Sequence, residues 1–187
     1  MRRIIFNLAL SLDGFIEGPN GEYDWCFTDQ DYGLTDMLAG VDTILFGRKS
    51  YDTLLKYDAN AYPDKQKIVF SRTLAKAPEG TELLNGNLAE HIRKIKNQPG
   101  KNIWLFGGAD IASQLLDANL LDELQLSVHP VLLGSGTPIF KNLKDRKLLT
   151  LLHTKTYETG LVQLHYQLQT EAAEGKNVGV MAEKTLP

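Results

Sequence analysis

A strand-type run, Asn102-Ile103-Trp104-Leu105-Phe106, breaks at Gly107-Gly108, and helical spacing resumes at Ile111, Leu115 and Leu116. A strand, a glycine pair and an amphipathic helix in that order make one βα unit. They also make a backbone anion site: glycines let a phosphate approach the chain, and the helix N-terminus offers free N–H groups and a positive dipole end.

Similar units precede it. Residues 3–12 read as a mostly buried strand. Residues 42–46 are a strand followed by a helix through Leu55, with Tyr51, Leu54 and Leu55 inward. Residues 66–71 are a third strand and Thr81 to Leu84 a short one. Leu88, Ile92 and Ile95 mark one face of a helix that Pro99-Gly100 ends, and a helix over 109–118 follows the glycine pair. Strands alternating with helices imply a parallel sheet, because parallel neighbours need crossovers.

The first crossover is less regular. Asp13-Gly14 and Pro19-Asn20-Gly21 are turns, with Phe15-Ile16 between them either folding back onto the body or covering a ligand. A helix is predicted from Asp29 or Gln30 to Ala39, capped by Thr28 or Asp29 and stopped by Gly40.

After Asn119 the rhythm changes. Residues 121–129 alternate like a strand with one wetter face. Residues 130–138 are turn-rich. Residues 148–157 and 161–169 read as a hairpin around Glu158-Thr159-Gly160. The expected architecture is α/β, with a mixed, mostly parallel central sheet, helices on both faces and a C-terminal antiparallel hairpin. It forms one domain over 1–169, with 170–187 as a polar tail.

A net charge of -3 disfavours a nucleic-acid partner. Cys26 is the only cysteine, which excludes an intrachain disulfide and fits a reducing compartment. The Met-Arg-Arg start runs into a short apolar segment interrupted by Asn7, Ser11 and Asp13. Neither a signal peptide nor a membrane span is expected, and the cytoplasm is the default location. His91, His129, His153 and His165 lack metal-ligand spacing, so no metal is expected.

Ligands of open parallel sheets bind outside the carboxyl ends of the strands. Three such ends are legible: Gly47-Arg48-Lys49-Ser50, Ser71-Arg72-Thr73 and Gly107-Gly108-Ala109. One offers backbone donors to a pyrophosphate. The others offer Arg48, Lys49 and Arg72 with the hydroxyls of Ser50 and Ser71, which suit phosphate oxygens. Each cation alone is more simply a solvated charge. Together they fit a ligand with a pyrophosphate and a separate phosphomonoester, as NADPH has.

These motifs, with Asp122-Glu123-Leu124, resemble the dihydrofolate reductase superfold. Ser11-Leu12-Asp13-Gly14-Phe15-Ile16 and Pro130 to Pro138 resemble its bacterial riboflavin-reductase branch. The resemblance spans residues 3–168 and implies the dihydrofolate reductase-like three-layer fold. The implied activity is that of an NADPH-dependent reductase acting on a small heterocycle: pterin- or folate-like, or aminopyrimidine-like as in 5-amino-6-(5-phosphoribosylamino)uracil reductase.

By resemblance, Arg48, Lys49, Ser50, Ser71 and Arg72 hold the adenosine 2′-phosphate and neighbouring phosphate. Gly47, Gly107, Gly108, Ala109 and Ile111 meet the pyrophosphate and nicotinamide side. Ala9 and Ile16 line the nicotinamide pocket, Asp13 lies in the mobile loop over it, and Trp25 follows that loop. The substrate acid falls on Asp31 counting back from Gly47. Counting forward from Trp25 gives Gln30, flanked by Asp29 and Asp31. Such an acid, buried, would carry a raised pKa and assist protonation. Relatives of this branch are often dimers, so a homodimer is expected. The alternative function is a non-catalytic dinucleotide-binding or sensing protein.

Overall fold

The computed structural model describes residues 1–58 and 60–169, so the tail 170–187 lies outside the described residues. The chain runs β1 (Ile4–Ser11), β2 (Phe15–Glu17), α1 (Leu34–Ala39), β3 (Val41–Gly47), α2 (Arg48–Tyr57), β4 (Gln66–Phe70), β5 (Thr81–Leu84) and α3 (Leu88–Lys96). It continues as β6 (Asn102–Gly107), α4 (Ala109–Asp117), β7 (Glu123–His129), β8 (Thr137–Pro138), β9 (Leu149–Thr156) and β10 (Val162–Leu168). Eight strands form one sheet in the order β5-β4-β3-β6-β1-β7-β10-β9. All neighbours are parallel except at β10, which is antiparallel to β7 and β9. The parallel sheet with a terminal hairpin is the architecture expected from the alternation of elements. Among the described residues no helix is long and apolar enough to cross a membrane.

One sheet face is closed by α3 and α4. Phe6, Leu45, Ile68, Ile103, Leu105 and Leu124 meet Ile92, Ile111 and Leu115 in a single buried cluster. Burying each of these large side chains stabilises the fold by roughly 1.5–3 kcal/mol. The α3 ends are matched to its dipole. Asn87 caps it by accepting from Glu90 N, and Arg93, Lys94 and Lys96 sit in its last turn. Asp122 and Glu123 are structural acids at the start of β7. Asp122 accepts from Lys96 Nζ at 2.5 Å and Ile4 N at 2.7 Å, and Glu123 accepts from Arg3 at 2.6 Å.

The other face carries α1 and α2 over an aromatic-rich floor of Ile44, Phe46, Val69 and Trp104, joined by Met37 and Tyr51. Here two expectations are corrected. The inward helix face of α2 holds Tyr51, but Leu55 is exposed. The helix expected from residue 29 or 30 begins only at Leu34. Tyr32 at φ 49° and Gly33 at φ 78° are left-handed and cannot continue a right-handed helix backwards. Tertiary contacts hold this break. The Tyr32 carbonyl accepts from Gln163 Nε2 at 2.6 Å, and its ring meets Tyr157 at 4.8 Å. Neither Thr28 nor Asp29 is the cap. Gly33 occupies that position, and Asp31 accepts from Thr35 N instead. The stop at Gly40 is as expected. Phe15 and Ile16 fold back: they form β2, which pairs with β8, and Ile16 packs against the core.

Candidate functional site

Because the strands are parallel, the ends of β3, β4 and β6 fall on one edge of the sheet. Gly47, Ser71 and Gly107-Gly108 are brought together there as neighbours. Their surface is mostly backbone. A Cβ on Gly107 would lie 2.8 Å from Ser50 Oγ, and one on Gly108 would lie 3.6 Å from Gly47 Cα. Ile111 packs on Gly47 from the first turn of α4. Two helices, α2 and α4, start at this notch, each bringing N–H groups that have no partner within the helix. The glycine notch therefore presents backbone N–H donors of the kind that suit phosphate oxygens.

The cations differ in their freedom. Arg48 Nε donates to both oxygens of Asp52, at 2.8 and 2.7 Å, on the α2 surface. Lys49 pairs with Glu17 at 2.5 Å, and Glu17 also accepts from the Thr137 hydroxyl at 2.7 Å. Burial pushes the Glu17 carboxyl up, but these hydrogen bonds outweigh it and hold the group below its ordinary range. Since β6 lies between β3 and β1, this pair bridges the two flanks of the glycine notch. Arg72 is exposed and has no ion-pair partner among the described residues. Ser71 is buried, and its hydroxyl accepts from Thr73 N and Leu74 N, so it shapes the turn that presents Arg72.

Beside the notch the sheet opens. β1 pairs with β6 only from Ile4 to Phe6, whereas it pairs with β7 from Ile5 to Ser11. The Asn7 carbonyl accepts from Trp104 Nε1 at 3.1 Å. Over the free half of β1 lies a cleft of about 360 Å³ lined by Leu8, Ala9, Phe27, Asp31, Tyr32, Ser127, His129 and Gln163 among others. Ala9 and Asp31 are thus brought to one cavity, next to the notch.

The structure gives three further predicted residues definite surroundings. Asp13 braces a loop: its carboxylate accepts from the Ser11 hydroxyl at 2.6 Å, Gly134 N at 2.7 Å and Leu133 N at 3.1 Å. Ser11 above all holds its pKa below the usual carboxylate range. Trp25 stacks edge-on to His129 at 5.3 Å, and its buried indole N–H has no partner among the described residues. Asp31 is corrected most. It is exposed, it accepts from the Thr35 hydroxyl at 2.8 Å, and that bond lowers its pKa. A buried carboxyl with a raised pKa was expected; helix capping in open solvent produces the opposite.

Sequence reasoning missed the residues that build the cleft walls. His129 is buried, and burial pushes its pKa down, so it stays neutral. Its Nδ1 donates to Ser127 O at 3.0 Å, and its Nε2 accepts from Phe27 N at 3.1 Å, which anchors the loop over the cleft. Gln163 donates to Tyr32 O and Ser127 Oγ and accepts from Tyr157 at 2.9 Å. The signal that could have found them is the wetter alternation of β7 and β10.

A family model described as the RibD C-terminal domain matches residues 2–163. The chain is 46% identical over 177 residues to the "Uncharacterized protein YyaP" of Bacillus subtilis (strain 168), covering 88% of this chain and 94% of that protein. Among solved structures it is similar to the "Putative riboflavin biosynthesis protein" from Shewanella sp. PV-4. There the TM-score is 0.81 at 26% identity, over 91% of this chain and 100% of the other. Dihydrofolate reductase from Enterococcus faecalis, complexed with NADP(H) and RAB-propyl, superposes with a TM-score of 0.67 over 90% of this chain and 97% of its own. At 16% identity that likeness is one of fold.

Proposed function

The chain belongs to the RibD C-terminal domain family, and from that premise we propose that it is an NADPH-dependent reductase of a small heterocyclic substrate. The observation that carries this is the junction of two sites: a backbone notch at Gly47, Gly107 and Gly108, and a roofed cleft over Ala9 beside it.

The residues present fit the dinucleotide. The absence of side chains at Gly47 and Gly107 lets the ends of β3 and β6 and the start of α4 pack closely, and the starts of α2 and α4 supply donors to a phosphate lying against them. Arg72, with Arg48 and Lys49 once their carboxylate partners yield, would meet the 2′-phosphate. Ala9, small and on the free half of β1, would let a flat ring lie against the strand. When bound, NADPH supplies the hydride for an electrophilic C=N or C=O carbon. The protein aligns the acceptor and excludes water. Phe27 and Tyr32 roof the acceptor, and Ser127 and Asn7 offer hydrogen bonds to its edge. Asp31, exposed and held ionised, acts on the substrate as a carboxylate and not as a stored proton.

The test is oxidation of NADPH by the purified protein with dihydrofolate, dihydropterins and aminopyrimidine sugars. Turnover with any of them supports the reductase. One observation favours the second reading, a non-catalytic dinucleotide-binding protein: the exposed helix-capping geometry of Asp31. NADPH binding without turnover across those three classes would select it.

A further inference from the structure

One ion pair at the notch joins two distant parts of the chain. Lys49, in the first turn of α2, donates at 2.5 Å to Glu17 at the end of β2, 32 residues earlier. The Arg48–Asp52 pair, in contrast, stays within one helix. The neighbours of Lys49 place it at the notch: Ser50 Oγ lies against Gly107, and Gly47 against Gly108.

The two partners are held very differently. The Glu17 side chain is 19% exposed and the Lys49 side chain 75%. Glu17 is fixed without help from Lys49. Its carbonyl packs so closely on Gly136 that a side chain there would collide with it. β2 pairs with β8 through Glu17 and Thr137, and the carboxylate accepts from the Thr137 hydroxyl at 2.7 Å. Ile16, the residue before, packs on the core. The charge of Lys141 also reaches the carboxylate. Lys49 Nζ has Glu17 as its sole hydrogen-bond partner among the described residues, at the end of a flexible four-carbon stem. A fixed carboxylate thus holds a movable ammonium beside backbone donors that suit phosphate. An exposed pair of this kind is weak, and a phosphate offers Lys49 more negative charge than a carboxylate does.

We propose that Glu17 is a built-in competitor for the ligand of the notch: it occupies Lys49, and an entering phosphate takes Lys49 from it. That the phosphate belongs to a dinucleotide rests on the reductase reading. After the exchange Glu17 keeps Thr137 and the charge of Lys141, so the cost of binding is the one broken pair. Glu17 sets the affinity without touching the ligand, and it raises the dinucleotide concentration at which the site fills.

The test is calorimetric titration of wild type, Glu17→Gln, Lys49→Met and the double variant with NADPH, NADH and inorganic pyrophosphate. Glu17→Gln keeps an acceptor for Thr137 and drops the charge. It is expected to bind NADPH about three- to fivefold more tightly than wild type, where loss of a merely structural contact would weaken binding or leave it unchanged. In the Lys49→Met background the same substitution is expected to change affinity by less than about 1.5-fold. NADH separates the phosphates: tightening of both dinucleotides assigns Lys49 to the pyrophosphate, and tightening of NADPH alone assigns it to the 2′-phosphate. Glu17→Gln that binds NADPH no tighter overturns the proposal. So does equal tightening with and without Lys49, which would make Glu17 a repelling charge and not a competitor. Pyrophosphate that shows the expected pattern while neither dinucleotide binds would sink the reductase reading and leave the competitor standing. Binding of none of the three would sink both.

Discussion

Two parts of the same sheet edge are built from different material. At β3 and β6 the surface is backbone: Gly47 and Gly107 are crowded by Ile111 and Ser50, Gly108 is held at a positive φ, and two helix starts supply the polarity. At β1, β7 and β10 the surface is side chains: Asn7, Ser127, His129 and Gln163 line the cleft, and His129 and Gln163 hold the loop over it from distant parts of the chain. The first kind of site binds a ligand through groups every residue has, and it is broken by adding an atom. The second binds through groups that only certain residues have, and it is broken by removing one.

The largest expected effect therefore falls on the notch. Gly108 has φ 112°, where a side chain is strained whatever the space. Gly108→Ala should weaken dinucleotide binding by about 100-fold, the scale of roughly 1–3 kcal/mol of backbone strain. Calorimetric titration checks it; unchanged affinity would mean that the notch is not where the pyrophosphate lies.

Gln163→Leu comes next and acts on the other region. It strips a partner from Tyr32 O, Ser127 Oγ and the Tyr157 hydroxyl. A loss of about 1–3 kcal/mol in unfolding free energy is expected from the unsatisfied groups. Denaturant titration reads that loss, and dinucleotide affinity should change far less than in Gly108→Ala. If both variants lose dinucleotide equally, the two regions are not separate.

Arg72→Ala should weaken NADPH about tenfold and leave NADH almost untouched, since one charged contact to a phosphate is lost. Arg48→Ala should do less, because Arg48 is already engaged by Asp52. Equal weakening of NADPH and NADH by Arg72→Ala would show that Arg72 does not read the 2′-phosphate.

Asp31→Asn should have the smallest effect on stability. The Asp31 carboxyl is depressed in the folded state by the Thr35 hydroxyl. Its contribution is thus present above the unfolded pKa of about 3.9 and is lost as pH falls below it through the folded value. Thermal melts should show wild type losing a small advantage over Asp31→Asn only below about pH 4. An advantage that instead fades near neutral pH would mean a raised pKa and restore the buried-acid role.

The contrast also explains what the sequence could reveal. Gly107-Gly108 and Arg48 are legible because their roles follow from neighbours in the chain: a strand end before them and a helix start after. The opposite face was equally legible through Leu88, Ile92 and Ile95, whose spacing states their burial. Tyr32 is not, because its left-handed backbone depends on Gln163, far away in the chain. The missed helix start and the misjudged environment of Asp31 have that one cause. Phe27 is fixed by His129 in the same long-range way. Nothing near residues 27–33 announces either partner.

The most direct measurement is a calorimetric titration of the purified protein with NADPH and with NADH. Saturable binding of both, with NADPH tighter by at least about tenfold, is the predicted result for a backbone notch flanked by Arg72. Binding of neither would contradict the account and leave the glycine notch as a feature of packing.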